Sequence, residues 1–331
     1  MKHILLEIVE STEAAAIAAS KYIGSGDKLK IDEVATNAMR NRLDLIDFKS
    51  EVAICEWEKD KSLGLHKGER LGRGSRIKSW GSDNNNEEPP PYDSPEWKTC
   101  DYDYEIAADP VDGTTQTAKG GYEGMSIIAI GQKNSFLRTP AYYMNKIAVG
   151  KQVYDYSQEI NSPITLKMPM ETIVEIIKGA LNKKQITVCI LDRPRHNDLV
   201  SKFRACGCLI KLIQDCDVSG AIAAALPESG IDIFAGIGGA PEGVITAAAI
   251  KCLDGYFEGQ IVDNKTYEPI EDKVYSMEML ARGNVMFCAT GILNGSLLKG
   301  IRHEGKGIIT HSIVMESETK SLKRVESYYE Q

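Results

Sequence analysis

The chain has 331 residues, 43% hydrophobic and 26% charged, which suffices for one large domain or two packed subdomains and excludes wholesale disorder. A formal net charge of -8 excludes a general nucleic-acid binder, which carries a basic excess, yet admits an anionic ligand wherever local cations reverse the field. No run of about 18 uncharged apolar residues occurs, and MKHILLEIVE meets Glu7 and Glu10 too early for a secretion signal. The expected setting is therefore cytoplasmic, with no membrane partner. The 8 cysteines form no C-x-x-C pair and no zinc spacing; Cys189 in ITVCIL and Cys288 in VMFCAT read as buried reduced thiols.

In chain order, residues 12–23 are predicted as a helix stopped at Gly24-Ser25-Gly26, and a second helix opens near Asp32 with Val34, Ala38 and Met39 at helical spacing. VAIC (52–55) reads as a short strand running into Glu56, Glu58 and Asp60. Residues 73–103, with Asn84-Asn85-Asn86 and Pro89-Pro90-Pro91, read as a loop or insertion of roughly 30 residues, long for a compact domain. YEIAA (104–108) is predicted as a strand ending at Asp109-Pro110, followed by the strand MSIIAIG (125–131). Strands then alternate with helices: QITVCILD (185–192), CLIKLI (208–213), a helix near 218–226, and DIFAGIG (232–238). A helix opened by Pro241 runs to about Cys252, and NVMFCATG (284–291) is a late strand. This alternation predicts an α/β architecture. Its two subdomains are expected at 1–165, carrying the 73–103 insertion, and 166–331.

The strongest local string is Asp109-Pro110-Val111-Asp112-Gly113-Thr114, directly after a strand. Two carboxylates three residues apart on a strand-to-turn bend can converge on a hard cation, and Gly113 lets the backbone approach a phosphate. Asp-Gly alone would be read as a polar β-turn; the full string after an apolar strand favours a metal site. Further carboxylates stand at strand ends: Glu56, Glu58 and Asp60 after VAIC, Asp215 and Asp217 after CLIKLI, and Glu242 beside Pro241. Taken singly, each is also readable as a solvated surface group. Gly236-Ile237-Gly238-Gly239 lacks the G-x-G-x-x-G pattern and context of a dinucleotide site, but its turn suits a phosphate or a sugar hydroxyl. Arg193-Pro194-Arg195-His196 offers cations for a phosphate, or is a surface basic patch. No P-loop is present, which removes a P-loop kinase from consideration. The pieces together suggest metal-assisted phosphoester hydrolysis, with a carboxylate as general base.

These motifs, taken in order, resemble the bacterial class II fructose-1,6-bisphosphatases of the lithium-sensitive phosphatase superfamily. The resemblance runs over VESTEAAAIAA, GDKLKID, the E-x-E-x-x-D run at 56–60, DPVDGT, PAYYMNK, RPRH, DCDV, GIGGAPEGV and FCATGI. It implies a layered α/β/α/β/α sugar-phosphatase fold and hydrolysis of the 1-phosphate of fructose 1,6-bisphosphate, a step of gluconeogenesis. It also implies a Mg²⁺ or Mn²⁺ cofactor, a sugar-phosphate ligand and a homo-oligomer. Residue by residue, it implies metal ligands at Asp32, Glu56, Asp109, Asp112 and Glu242. Asp60 matches the catalytic base, and Thr114 matches the threonine that assists or makes the attack on phosphorus. Substrate-binding positions match Asp112, Gly113, Thr114, Tyr143, Arg195, His196, Asn197, Asp215, Cys216, Asp217 and Gly239. This chain departs from the family pattern at Cys55 and Trp57 around the first Glu, at Asp112 for Glu, at Cys216 for Gly, and at Ala141 for Asp. Such changes bear on substrate choice. The competing readings are another sugar phosphate (sedoheptulose 1,7-bisphosphate or an inositol phosphate) and a catalytically dead sugar-phosphate-binding paralogue.

Overall fold

A computed structural model describes residues 4–55, 65–76 and 101–330. The chain opens with α1 (Leu5–Ser20), α2 (Lys28–Leu43), β1 (Ser50–Cys55), β2 (Arg70–Leu71), α3 (Arg73–Arg76), β3 (Tyr104–Asp112), α4 (Thr114–Lys119) and β4 (Gly124–Gln132). It continues with β5 (Tyr143–Val149), α5 (Lys151–Glu159), α6 (Met170–Leu181), β6 (Thr187–Leu191), α7 (Asn197–Ala205), β7 (Leu209–Ile213) and α8 (Asp217–Ala225). Then come β8 (Ile233–Gly239), α9 (Ala240–Cys252), β9 (Tyr256–Val262), β10 (Tyr275–Ser276) and α10 (Met277–Leu280). The chain closes on β11 (Val285–Leu293), β12 (Arg302–Glu304), β13 (Gly307–Glu316) and β14 (Ser321–Glu330). Helices alternating with strands in two sheets make this an α/β fold, as expected. No described helix is long and apolar enough to cross a membrane.

Two compact units result. The first comprises residues 1–138, 283–314 and 323–331; the second comprises 139–282 and 315–322. The boundary expected at 165/166 falls within the second of these units. Of the 73–103 stretch, residues 77–100 lie outside the described residues.

In the first unit, the described strands run β12-β13-β11-β4-β3-β1-β2, with β14 also paired to β13. β1 and β3 are parallel, while β4 is antiparallel to both β3 and β11. β11 is buried at all nine positions, which explains why NVMFCATG reads as a continuous apolar run. Ile8, Ala15 and Ala19 of α1 and Ile31 and Met39 of α2 pack with Val52, Ile106 and Ile128 of the sheet. Each large aliphatic buried there contributes about 1.5–3 kcal/mol.

Two helix starts differ from prediction. α1 begins at Leu5, well before residue 12, because Ser11 and Thr12 turn their hydroxyls back onto the Ile8 and Val9 carbonyls inside the helix. α2 begins at Lys28 because Asp27 caps it, its carboxylate accepting from Lys30 N at 3.0 Å, a contact of about 1 kcal/mol. Asp32 therefore projects from the second turn of the helix.

In the second unit the strand order is β10-β9-β5-β8-β6-β7. β6, β7 and β8 run parallel, and β5 is antiparallel to both β8 and β9. All nine residues of α8 and eleven of the thirteen of α9 are buried, and their runs of alanine permit close packing on every side.

Candidate active site

In the first unit, the DPVDGT string forms the end of β3 and the start of α4. The strand does not stop at Asp109 as predicted. It continues to Asp112 through a bulge: Asp109 lies opposite Ile127 and Asp112 opposite Met125, so Pro110 and Val111 face the single residue Ser126. The bulge is what admits a proline, which has no N–H for the ladder, and it re-aims the residues that follow. Asp109 Oδ1 accepts from Val111 N at 3.0 Å and folds the bulge onto itself. Asp109 and Asp112 are only 4% and 6% exposed. Buried carboxylates of this kind are held by hydrogen bonds, cations or metals.

Gly113, with φ of 94°, turns the chain into α4, and Thr114 follows. Thr114 Oγ1 lies 2.9 Å from Asp32 Oδ1 and 2.9 Å from the Val111 carbonyl oxygen; its one proton serves one acceptor at a time. Lys28 Nζ donates to Thr115 Oγ1 at 2.8 Å and ties α2 to α4 a second time. The fold thus brings Asp32 to DPVDGT across 82 residues of sequence. β1 ends beside this string, Cys55 pairing with Ala108. Glu56 and Asp60 lie outside the described residues, as does Trp57.

In the second unit, topology explains the clustering. Three parallel strands end together: β6 before Asp192–His196, β7 before Asp215–Asp217, and β8 at Gly239 before Glu242. Tyr143, the first residue of antiparallel β5, pairs with Gly239. One sheet end therefore carries the predicted positions, the place where open α/β sheets bind ligands.

Side chains fix that end in detail. Arg195 donates through Nε and Nη2 to the Ile237 carbonyl at 3.1 and 2.7 Å. Arg193 donates through Nη1 to the Gln214 carbonyl at 2.7 Å and stands 3.7 Å from Asp215 Oδ1. Burial pushes the Asp215 carboxyl up from its ordinary range, against the pull of Arg193. Asp217 opens α8, and Cys216 before it adopts φ of 61°, left-handed backbone that usually takes glycine. Asn197 is exposed at the first position of α7.

His196 is occupied at both nitrogens. Nδ1 lies 2.7 Å from the Leu191 carbonyl and donates to it, while Nε2 accepts from Ile237 N at 2.8 Å. The ring is buried and its pKa is lowered by that burial, so it is neutral and clasps the ends of β6 and β8.

Two side chains here were missed by sequence reasoning. Lys146 of β5 is buried with its Nζ 2.7 Å from Asp217 Oδ2. Its signal was a lysine sharing a strand face with the apolar Met144 and Ala148 in YMNKIAV. Tyr267, in the turn after β9, sits edge-to-face with Tyr143 at 5.6 Å. Nothing in NKTYEP announced it.

The donors available to a metal are carboxylate oxygens, the class that hard divalent cations take. Glu242, 8% exposed in the first turn of α9, has Oε2 buried with no hydrogen-bond partner among the described residues, an oxygen that a cation would satisfy. Among the described residues no three His, Cys, Asp or Glu side chains form a metal-holding group.

Buried carboxylates on a bulged strand with a threonine hydroxyl beside them in the first unit, and arginines at the ends of three parallel strands in the second, suit an α/β phosphoric monoester hydrolase, the class to which family and relatives assign the chain. The chain belongs to the bacterial fructose-1,6-bisphosphatase family, glpX-encoded, whose sequence model matches residues 2–329. It is 34% identical over 350 residues to a D-fructose 1,6-bisphosphatase class 2/sedoheptulose 1,7-bisphosphatase of Synechococcus sp. (strain JA-3-3Ab), covering 98% of this chain and 94% of that protein. It is 33% identical over 351 residues to a fructose-1,6-bisphosphatase class 2 of Haemophilus influenzae, covering 98% of this chain and 96% of that protein.

Proposed function

We propose that this chain hydrolyses the 1-phosphate of fructose 1,6-bisphosphate to give fructose 6-phosphate and inorganic phosphate. The observation that carries the reading is end-to-end family membership, and it is supported by a buried Glu242 oxygen that has no hydrogen-bond partner among the described residues. The family resemblance supports Asp32, Glu56 (outside the described residues), Asp109, Asp112 and Glu242 as the residues that would hold Mg²⁺ or Mn²⁺. A divalent cation held by carboxylates supplies Lewis-acid polarisation of phosphoryl oxygens and a more acidic water.

The chain's own groups do the rest. Asp60, outside the described residues, is the general base. Thr114 turns its hydroxyl proton from Asp32 Oδ1 to the reacting phosphate when that phosphate binds. Asp112 and Gly113 bind that phosphate with it. In the second unit Tyr143, Asn197, Asp215, Cys216, Asp217 and Gly239 bind the sugar, and Arg195 takes the phosphate that is not hydrolysed. His196 shapes this surface through its backbone bonds. The reading carries with it a cytoplasmic homo-oligomer, for which light scattering on the purified protein is the check.

The Synechococcus relative's name favours a second substrate, sedoheptulose 1,7-bisphosphate, which presents the same two phosphates on a longer sugar. The test is phosphate release from both bisphosphates, from fructose 1-phosphate and from inositol 1-phosphate, with Mg²⁺ or Mn²⁺ and with excess chelator. Preference for fructose 1,6-bisphosphate and silence in chelator are expected. Preference for a monophosphate would overturn the substrate assignment, and full turnover in chelator would overturn the metal.

A further inference from the structure

Tyr267 occupies a turn built to hold it. Asp263 closes that turn, Oδ1 accepting from Lys265 N at 2.8 Å and Thr266 N at 2.8 Å, and these bonds keep its carboxyl below the usual range. Backbone bonds from Asp263 N to Glu268 O and from Tyr267 N to Asp263 O, at 2.8 and 3.0 Å, lock the loop. Tyr267 itself adopts φ of 60°, a sparsely populated conformation for a bulky residue that persists only where the surroundings enforce it.

Its ring meets two groups. It lies edge-to-face with Tyr143, with an interplanar angle of 71°, and the Arg195 guanidinium carbon stands 5.3 Å from its centroid. The same carbon stands 5.2 Å from the centroid of Tyr143. The guanidinium is thus flanked by two rings and tied through Nε and Nη2 to the Ile237 carbonyl, and among the described residues Nη1 carries no such tie and is left for a ligand. Aromatic faces attract the cation and remove its freedom before a ligand arrives.

We propose that Tyr267 is a positioning residue for substrate selection: with Tyr143 it holds the Arg195 guanidinium so that Nη1 meets the phosphate remote from the reacting centre. This rests on Arg195 being the receptor for that phosphate. A guanidinium already immobilised in its binding geometry loses little further freedom on binding, so the effect falls on recognition of the remote phosphate.

The test uses metal-loaded enzyme, with Tyr267→Leu, Tyr267→Phe, Arg195→Ala and the double variant Arg195→Ala/Tyr267→Leu. Tyr267→Leu should raise KM for fructose 1,6-bisphosphate by about tenfold, on the scale of one cation–π contact, with kcat nearly unchanged. Inhibition by fructose 6-phosphate, which keeps the remote phosphate, should weaken in parallel. Tyr267→Phe keeps the ring and should behave as wild type, and hydrolysis of fructose 1-phosphate should not change. In the Arg195→Ala background Tyr267→Leu should add nothing. If Tyr267→Leu lowers the yield of folded protein, Asp263→Ala loosens the turn without touching either ring and should give the same bisphosphate-selective loss.

Equal losses on bisphosphate and monophosphate, or a loss that persists without Arg195, would overturn the inference while leaving Arg195 in its role. If Arg195→Ala itself fails to discriminate the two substrates, the assignment of the remote phosphate falls first and the role of Tyr267 falls with it.

Discussion

Lys146 Nζ lies 2.7 Å from Asp217 Oδ2, with the two side chains 0% and 6% exposed. The pair needs a glycine beside it: a Cβ on Gly238 would stand 1.7 Å from Asp217 Oδ2 and 3.0 Å from Lys146 Nζ. Lys146→Met keeps the stem and removes the charge, leaving a buried carboxylate that has lost its ion-pair partner. It should cost about 3–5 kcal/mol of stability by urea denaturation, and adding Asp217→Asn should recover much of that. A loss under about 1 kcal/mol for Lys146→Met would mean that Asp217 does not depend on this lysine.

His196 makes a pH prediction. Its folded pKa is lowered by burial below the ordinary 6.5, so the unfolded chain takes up a proton before the folded one does. Stability from this group is therefore complete above about pH 6.5 and is lost as pH falls through the folded pKa. The slope in that window reaches at most about 1.4 kcal/mol per pH unit. His196→Gln supplies one donor and one acceptor without titrating. Thermal melts between about pH 5 and 8 should show wild type losing stability relative to this variant on the acid side. Parallel curves would show that His196 does not stay neutral in the fold.

The candidate site is legible in the sequence where chemistry and strand ends coincide. DPVDGT, DCD and GIGGAPEG are local strings whose residue types state their purpose, and the apolar runs before them place them at strand C-termini. The bulge at Pro110-Val111 was not legible, because a proline after YEIAA signals a strand's end as readily as an irregularity within it. Lys146 and Tyr267 were hidden for a different reason. Each meets a partner distant in sequence, Asp217 for one and Arg195 for the other, and single-chain patterning carries no record of that pairing. His196 was expected at a ligand from the resemblance, and no sequence pattern announced that both of its ring nitrogens are bonded to backbone groups.

Thr114 tests the chemistry in the first unit. Thr114→Val keeps the branched shape and packing but removes the hydroxyl that meets Asp32 Oδ1 and the Val111 carbonyl. If that hydroxyl serves the reacting phosphate, kcat should fall by about 10²–10³, the scale of one lost transition-state hydrogen bond. Thr114→Ser should retain most activity. The melting temperature should move little in both variants. A Thr114→Val enzyme within about threefold of wild type would remove Thr114 from the reaction.

Gly239 and Glu242 give the sharpest separation of fold from metal. Gly239 has φ of -65° and ψ of 139°, backbone that alanine adopts freely, so any effect of Gly239→Ala must come from what its methyl meets. That methyl would stand 1.8 Å from Glu242 Oε2, 2.6 Å from Oε1 and 2.4 Å from Cδ. The carboxylate must therefore rotate away, and its Oε2 is the buried oxygen without a hydrogen-bond partner among the described residues. If Glu242 is a metal ligand, Gly239→Ala should weaken Mn²⁺ binding, measured by calorimetric titration, by about 10–100-fold. Stability of the metal-free protein should change by less than about 1 kcal/mol, since no backbone strain and no hydrogen bond is at stake. Glu242→Gln should produce a similar loss of affinity, and the double variant should lose no more than the worse of the two, because both act on one oxygen pair. Unchanged Mn²⁺ affinity in Gly239→Ala, with the carboxylate displaced as the contact demands, would exclude Glu242 from the ligand set.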